Sequence, residues 1–503
     1  MNDLLLGIDI GTSSCKVAAF NAEGRVEASV TKEYDVHYVK EGWVEQDPNQ
    51  WWETVVAVLR DLFKKSNINA ADIKGIGIDG QSWSAIAVDK KGSVLCNTPI
   101  WMDTRAGDIC DRLKDEIGEE NIFAVCGNPI EPMYTTAKIL WYKENLPDVY
   151  KKTYKILQSN SFIVYRLTDK LSQDISQGYG LHCFDIKKGM WNNDMANRMG
   201  IDIKMLPEKI YQCHEIVGTV TEEAAKLTGL NEGTPVVAGG LDAACGTLGA
   251  GVINVGQTQE QGGQAGGMSI CIDEYKADKR LILGYHVVPE KWLLQGGTVG
   301  GGGIIRWFEK EFFEAERNTA KNPHGNSFDQ MNIEADEIDK GSDGVVFLPY
   351  MAGERSPIWD KNAKGVFYGL DYAKKRAHMI RACLEGVAFS LKHNIEIAEK
   401  AGAYVGTLHA TGGSANSLLW TQIKSDITGK DIDVPSSDTS ATMGAAMLAG
   451  VGVGIYKDFN EAVNRCVKLV RQHKANAGNE EYSKNYETYL KLYENLKSLM
   501  AHS

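Results

Sequence analysis

Asp9 lies near the end of an apolar strand, Leu4-Leu5-Leu6-Gly7-Ile8-Asp9-Ile10, that runs straight into a turn of glycine and hydroxyl residues, Gly11-Thr12-Ser13-Ser14. That combination suits a metal-bound phosphate. Gly11 lets backbone N–H groups approach an anion, Thr12 and Ser13 donate hydrogen bonds, and Asp9 can orient Mg²⁺ through its water shell. The same residues also make an ordinary hairpin in which Asp9 or Thr12 bonds only nearby backbone, and the segment alone does not separate the two readings. A strand, glycines and an aspartate recur at Pro235-Val236-Val237-Ala238-Gly239-Gly240-Leu241-Asp242, which places Asp242 near the N-terminus of a helix through Ala243 to Leu248. A third turn, Thr411-Gly412-Gly413-Ser414-Ala415-Asn416, joins a strand, Thr407 to Ala410, to a helix, Leu418 to Ile427. Its small residues leave room for an adenine, and the Gly413 and Ser414 amides can face an α-phosphate at a helix start.

The elements that must hold these turns alternate strand and helix. Leu4 to Ile10, Cys15 to Asn21 and Val26 to Val30 read as a meander, Trp51 to Lys65 as a helix, and Ile73 to Ile78 as a buried strand. That last strand leads to Asp79-Gly80-Gln81-Ser82-Trp83. Because ligands bind outside the carboxyl ends of strands in open α/β sheets, Gln81, Trp83 and the later Trp101-Met102-Asp103-Thr104-Arg105 are candidates to face one; for the tryptophans the alternative is core packing. A further glycine-rich turn, Gln261-Gly262-Gly263-Gln264-Ala265-Gly266-Gly267, precedes the strand Met268 to Ile272 and gives the second half its own opening hairpin. The chain thus reads as internally duplicated, with a boundary near 249–258. Gly296-Gly297 and Gly300 to Gly303 precede the helix Ile304 to Phe313, where glycine serves either ligand approach or packing. Met443-Gly444-Ala445-Ala446 opens another helix, and Glu480 to Met500 is a charged amphipathic packing helix.

At 503 residues the chain exceeds one hydrophobic core, so two large domains with a cleft between them are expected. A formal net charge of -12 argues against a nucleic-acid partner, since gripping phosphate backbones takes a positive surface. No apolar run is long enough to span a bilayer, so no membrane partner is expected. The opening residues lack the basic region and cleavage pattern of a secretory leader, which points to the cytoplasm. Ten cysteines are scattered without a Cys-x-x-Cys pair, which leaves zinc and redox motifs unsupported and reads as small buried apolar residues.

Taken in order, Gly7-Ile8-Asp9-Ile10-Gly11-Thr12-Ser13, Gly42-Trp43-Val44-Glu45-Gln46-Asp47-Pro48, Ile100-Trp101-Met102-Asp103-Thr104-Arg105, Gly239-Gly240-Leu241-Asp242-Ala243-Ala244, Gly412-Gly413-Ser414 and Met443-Gly444-Ala445-Ala446 resemble the FGGY family of carbohydrate kinases. The Gly42 to Pro48 segment is closest to the xylulokinase-like branch. The resemblance implies an α/β fold of two ribonuclease H-like domains, as in the actin and hexokinase superfamily, flanking a deep catalytic cleft. Residues 1–250 would bind the sugar and supply the base, and residues 251–503 would bind ATP. It implies Asp242 as the general base, Asp9 for Mg²⁺, Thr12, Ser13, Gly263 and Gln264 for phosphate, and Gln81, Trp83, Trp101, Asp103 and Asp242 for substrate. Gly300, Gly412, Gly413, Ser414 and Asn416 would serve the nucleotide. For Asp242 the alternative is helix capping, typically about 1 kcal/mol, and both roles can coexist.

Two departures stand out. The family's Gly-Thr-Ser in the second domain's turn is Gly263-Gln264-Ala265 here, which removes two hydroxyl donors. The xylulokinase pattern Gly-Gln-Met-His is Gly80-Gln81-Ser82-Trp83, which puts a donor-only indole where an imidazole would bond a sugar hydroxyl. A pocket built around one hydroxyl can discriminate by roughly 10⁴-fold, so this position can reset specificity. A ketopentose such as xylulose is the first expectation; a ketohexose, another polyol or a gluconate-like sugar acid stays open. Arg105 either pairs with Asp103 to hold its loop or contacts substrate. The rival class is a sugar- or nucleotide-binding protein without catalysis, and the assembly is left open between monomer and homodimer.

Overall fold

The computed structural model describes residues 3–314, 326–436 and 439–501. Leu4–Ile10 (β1) is buried along almost its whole length in a seven-stranded sheet, as a near-continuous apolar strand must be. On one side it pairs antiparallel with Ser14–Asn21 (β2), which pairs antiparallel with Val26–Glu33 (β3). On the other side Ile73–Gly80 (β4) runs parallel to it. Beyond β4 come Ile216–Thr219 (β5) and Pro235–Val237 (β6), with β6 next to β4 and β5 at the far edge, while Gly240–Leu241 (β7) also pairs with β4. The helix Pro48–Lys65 (α1) starts on an Asp47 cap with proline in its first turn and buries Trp51, Val55, Val58, Leu59 and Leu62 with the apolar side chains of this sheet. The helix Asp242–Gly249 (α2) follows β7 directly.

The second half repeats the arrangement. Thr258–Gly262 (β8), Gly266–Ile272 (β9), Ile282–Tyr285 (β10), Trp292–Thr298 (β11), Leu408–Thr411 (β12), Ile432–Pro435 (β13) and Leu469–His473 (β14) form a second seven-stranded sheet in the order β10-β11-β9-β8-β12-β13-β14. β8 has the neighbours that β1 has: an antiparallel hairpin partner, β9, on one side and a parallel strand, β12, on the other. The repeat is inexact, because β11 takes the third position and β10 is added at the edge. The helices Gly302–Phe312 (α3), Arg376–Lys400 (α4), Leu418–Thr428 (α5), Ser440–Gly452 (α6) and Glu480–Met500 (α7) complete this half. The closing helix packs as expected, with the rings of Tyr486 and Tyr489 against Phe389 of α4. All ten cysteines are free thiols, buried except for the partly exposed Cys96. Among the described residues no helix is long and apolar enough to cross a membrane.

The two halves meet backbone to backbone. α6 begins at Ser440, so the Met443-Gly444 pair lies one turn inside the helix, where α6 crosses α2 and lies on β1 and β4 of the first sheet. A Cβ on Gly444 would come within 1.9 Å of the Cys245 carbonyl oxygen, and one on Gly77 within 1.8 Å of that of Ala445. This contact sets the sign of a test. Gly→Ala inside a helix ordinarily gains up to about 1 kcal/mol. At Gly444 the clash with rigid backbone should reverse that into a loss of about 1–3 kcal/mol, read as a lower urea midpoint at unchanged slope. A stabilised Gly444→Ala variant would refute the close crossing.

Candidate active site

The parallel register of β1 and β4 sets Asp9 opposite Asp79, and β7 sets Gly240 opposite Asp79 on the other side, two residues before Asp242. Three carboxylates therefore collect at the carboxyl ends of adjacent strands. Asp242 opens α2 and accepts its neighbour Ala243's N–H at 2.7 Å. The backbone leading to it is fixed from below: Leu241 N–H donates to Ser176 Oγ at 2.9 Å, and Ser176 donates to the buried Asp174 at 2.6 Å. Asp174 in turn accepts from Asn160 and from the Gln177 N–H, both at 2.9 Å. Burial, helped by the charge of Asp9, raises the Asp242 carboxyl to about 7. Burial likewise raises Asp9 to about 6, against the lowering effects of the neighbouring Asp79 and the charge of Lys16. Asp79 is fully buried and is pushed well above the carboxylate range by burial and then by Asp9 and Asp242.

Two cavities reach this floor and a third, larger one adjoins them at Gly263. The largest, about 810 Å³, is lined by Gly302, Glu309, Gly413, Ser414, Asn416 and Trp420, among others. A second, about 340 Å³, lies between Asp9, Gly11, Asp242, Gln261 and Gly412. A third, about 250 Å³, is bounded by Thr12, Trp83, Trp101, Asp242, Gln264 and Arg355. Gly263 lines all three, and Asp242 lines the second and third. The three form one groove through Gly263, and Asp242 stands where the second meets the third. Gln259 braces its wall by accepting from Thr247 of α2 at 2.8 Å and donating to Thr411 of β12 at 3.2 Å.

Most residues expected from the sequence reach this groove, and four do not. Thr12 Oγ1 accepts from the Trp101 indole at 2.9 Å, so the opening turn and the tryptophan are one unit. Ser13 is exposed on the same turn. Trp83 adopts φ 59 and packs on Tyr134, the rings tilted at 42° with centroids 4.3 Å apart, serving as both core and cavity wall. Gln264 lies across Gly303 at the start of α3, and the Gly302 and Gly303 amides are already bonded to the Gly263 and Gln264 carbonyls. The Ser414 hydroxyl accepts from the buried Lys424 at 2.8 Å.

The exceptions are Ser13, which lines none of the three cavities, Gln81, Asp103 and Gly300. Gln81 is fully buried and donates to Gln46 at 2.9 Å and to the Gly11 carbonyl at 3.4 Å, so it props the opening turn from behind and is not a cavity wall. Asp103 is also fully buried: it accepts the Val44 N–H at 2.7 Å and the Arg105 Nε at 2.9 Å. Arg105 is held at 2.9 Å by Glu45 as well and lies over the rings of Trp43 and Trp141, which settles it as a loop anchor. Gly300 is buried against Pro349, whose carbonyl a Cβ would approach to 2.5 Å, and its neighbour Gly302 lines the large cavity instead. Sequence reasoning missed Asp79, Gln261 and Arg355. Asp79 was visible as an acid ending a buried strand, and Arg355 as half of a charged pair, Glu354-Arg355, bracketed by Gly353 and Pro357.

Neither oxygen of the buried Asp79 has a hydrogen-bond partner. A carboxyl raised in the folded state binds more protons there than when unfolded, so its contribution to stability falls as pH rises above the unfolded value, by about 1.4 kcal/mol per unit while it stays protonated in the fold. Asp79→Asn should therefore melt higher than wild type at pH 7, with the gap closing as pH falls toward 4. A pH-independent gap would show that Asp79 does not carry this penalty.

Sequence models of the N-terminal and C-terminal domains of the FGGY family of carbohydrate kinases match residues 4–249 and 273–453. A xylulose kinase of Bacillus subtilis is 31% identical over 498 residues, 98% of this chain and 97% of that protein. A gluconokinase of Bacillus licheniformis is 29% identical over 498 residues, 99% of this chain and 96% of that protein. The crystal structure of a xylulose kinase from Rhodospirillum rubrum superposes with a TM-score of 0.90 at 28% identity, covering 99% of this chain and 100% of the other.

Proposed function

The chain belongs to the FGGY family of carbohydrate kinases, and from that premise we propose that it transfers the γ-phosphoryl group of ATP to a terminal hydroxyl of a ketopentose, xylulose first. One observation carries this reading: Asp242 is shared by the cavity that holds Asp9 and Gly412 and the cavity walled by Trp83 and Trp101. In-line transfer needs an acceptor oxygen, a nearby proton acceptor and charge neutralisation at the phosphates. In this reading the sugar lies in the cavity of Trp83 and Trp101, its hydroxyl facing Asp242, which takes the proton as the bond to phosphorus forms. Residues 1–250 hold the sugar and the base; residues 251–503 hold the nucleotide, with the adenosine in the large cavity and the phosphates passing Gly412 and Gly263 toward Asp9.

The donors around the middle cavity fit Mg²⁺. They are hard oxygens, Asp9 and Asp242 carboxylates with the Gln261 amide, and no basic side chain lines the cavity. Among the described residues no group of three or more His, Cys, Asp or Glu forms a complete cage, which suits an ion held by one or two carboxylates, water and substrate phosphates. Bound there, the ion would neutralise charge on the β- and γ-phosphates. Asp9 is the residue that would hold it.

A sugar acid is the second reading, favoured by the gluconokinase likeness and by Trp83 in place of a hydrogen-bonding imidazole. An ATP-consumption screen over ketoses, polyols and aldonates separates the cases. Xylulose-dependent ADP formation supports the proposal; turnover of gluconate alone replaces the substrate, and sugar binding without turnover of any substrate removes the catalytic reading. Closure of the cleft over bound sugar excludes water and should keep ATP hydrolysis low when sugar is absent.

A further inference from the structure

Arg355 is the only cationic side chain lining the two cavities that meet at Asp242, among the described residues. It comes from the second half of the chain, yet its guanidinium lies 5.8 Å from the ring of Trp101 in the first half. Its flat face rests on Gly297, where a Cβ would sit 3.2 Å from Cζ, so the fork is held against backbone that has no side chain to displace it. The fork is largely unspent. Nη2 donates to the Thr298 carbonyl at 3.1 Å, while Nε is buried with no partner. The adjacent Glu354 does not pair with it: Oε1 accepts the Val299 and Arg355 N–H groups at 2.6 and 2.8 Å, and Oε2 is unpartnered. Burial lowers the Arg355 pKa, with only the Glu354 charge opposing, so an anion arriving there would relieve a desolvated cation.

We propose that Arg355 is the oxyanion-binding arm of the cleft, engaging the phosphoryl oxygens as the group passes to the acceptor held beside Asp242. The inference rests on the kinase reading above and extends it to a residue outside the phosphate turns. It also answers the departure at Gly263-Gln264-Ala265: where the two hydroxyl donors are missing, the Arg355 guanidinium borders the same cavity. A substrate carboxylate presents the same oxyanion chemistry, so a sugar acid is the other source of the ligand.

Arg355→Met, which keeps volume and loses every donor, and Arg355→Lys, which keeps charge and loses the fork, test this with xylulose and gluconate as acceptors. The expected result is a kcat about 10²–10³-fold lower in R355M with whichever acceptor the wild type uses, partly recovered in R355K. Xylulose affinity, read by tryptophan fluorescence, should stay within about threefold. A loss confined to gluconate, with xylulose turnover intact, assigns the oxyanion to the substrate carboxylate. Unchanged kcat in R355M, or equal losses of kcat and xylulose affinity, overturns the proposal. If R355M does not fold, R355K decides alone: about tenfold lower kcat supports the fork and wild-type kcat refutes it. If the wild type turns over neither sugar, the kinase reading fails separately, and inorganic phosphate becomes the probe. Saturable fluorescence quenching lost in the variant then upholds the anion site, and equal quenching in both refutes it.

Discussion

Asp242→Asn is expected to lower sugar-dependent ADP formation by about 10²–10⁴-fold, the span of general-base catalysis, while ADP affinity stays within a few-fold of wild type. Asparagine keeps an oxygen where Oδ1 accepts the Ala243 N–H, so the start of α2 and the network through Leu241, Ser176 and Asp174 should survive. Only the capacity to take a proton is lost. The carboxyl is raised to about 7, so below that pH it is increasingly protonated and unable to act as base. Wild-type kcat/KM should therefore fall tenfold per unit as pH drops below about 7 and level off above it. The same shift makes the variant more stable than wild type at pH 8, because a buried carboxylate that resists ionisation is gone. Near-normal turnover in D242N would remove Asp242 from the base role; an acid limb near 4 would show that burial does not set its titration.

How much of this site the sequence disclosed depended on range. The turns after β1 and β12 announce themselves locally, because glycine, hydroxyl and acidic residues must be contiguous to cradle an anion. Asp242 was legible for the same reason: it stands two residues past the glycine pair that lets β7 approach β4, where a Cβ on Gly239 would meet the Ile78 carbonyl at 1.8 Å. The duplication was legible from two hairpin openings, and both sheets show it, apart from the edge strand Ile282–Tyr285. What stayed hidden was tertiary. Nothing in a local pattern says that Gly444 must take α6 across to the sheet of the first half, or that Arg355 crosses to Trp101. Polar residues at strand ends were over-read for the converse reason. Gln81 and Asp103 have the chemistry of sugar ligands, but their hydrogen bonds are used inside the protein, and only coordinates reveal where a polar group's bonds are satisfied.

Asp103→Ala should consequently act on the fold and leave the sugar alone. Its carboxylate is fully buried, and its partner Arg105 has a side chain only 3% exposed. Removing one member of such a pair leaves an under-compensated cation and an unmatched Val44 N–H, a loss of about 3–5 kcal/mol in comparable buried pairs. Glu45 moderates it, since it also holds the guanidinium at 2.9 Å. The loop from Ile100 to Arg105 carries Trp101, whose indole donates to Thr12, so loosening the anchor reaches the turn after β1 through one side chain. Below its own melting range the variant should show xylulose KM within about threefold of wild type, because Asp103 lines no cavity at the site, and a lower kcat as Trp101 and Thr12 lose their fixed relation. The deciding comparison is the urea midpoint against KM. A shifted midpoint with KM preserved places Asp103 behind the site, whereas an unshifted midpoint with KM raised tenfold or more would return it to the substrate and require the Ile100–Arg105 loop to rearrange when sugar binds.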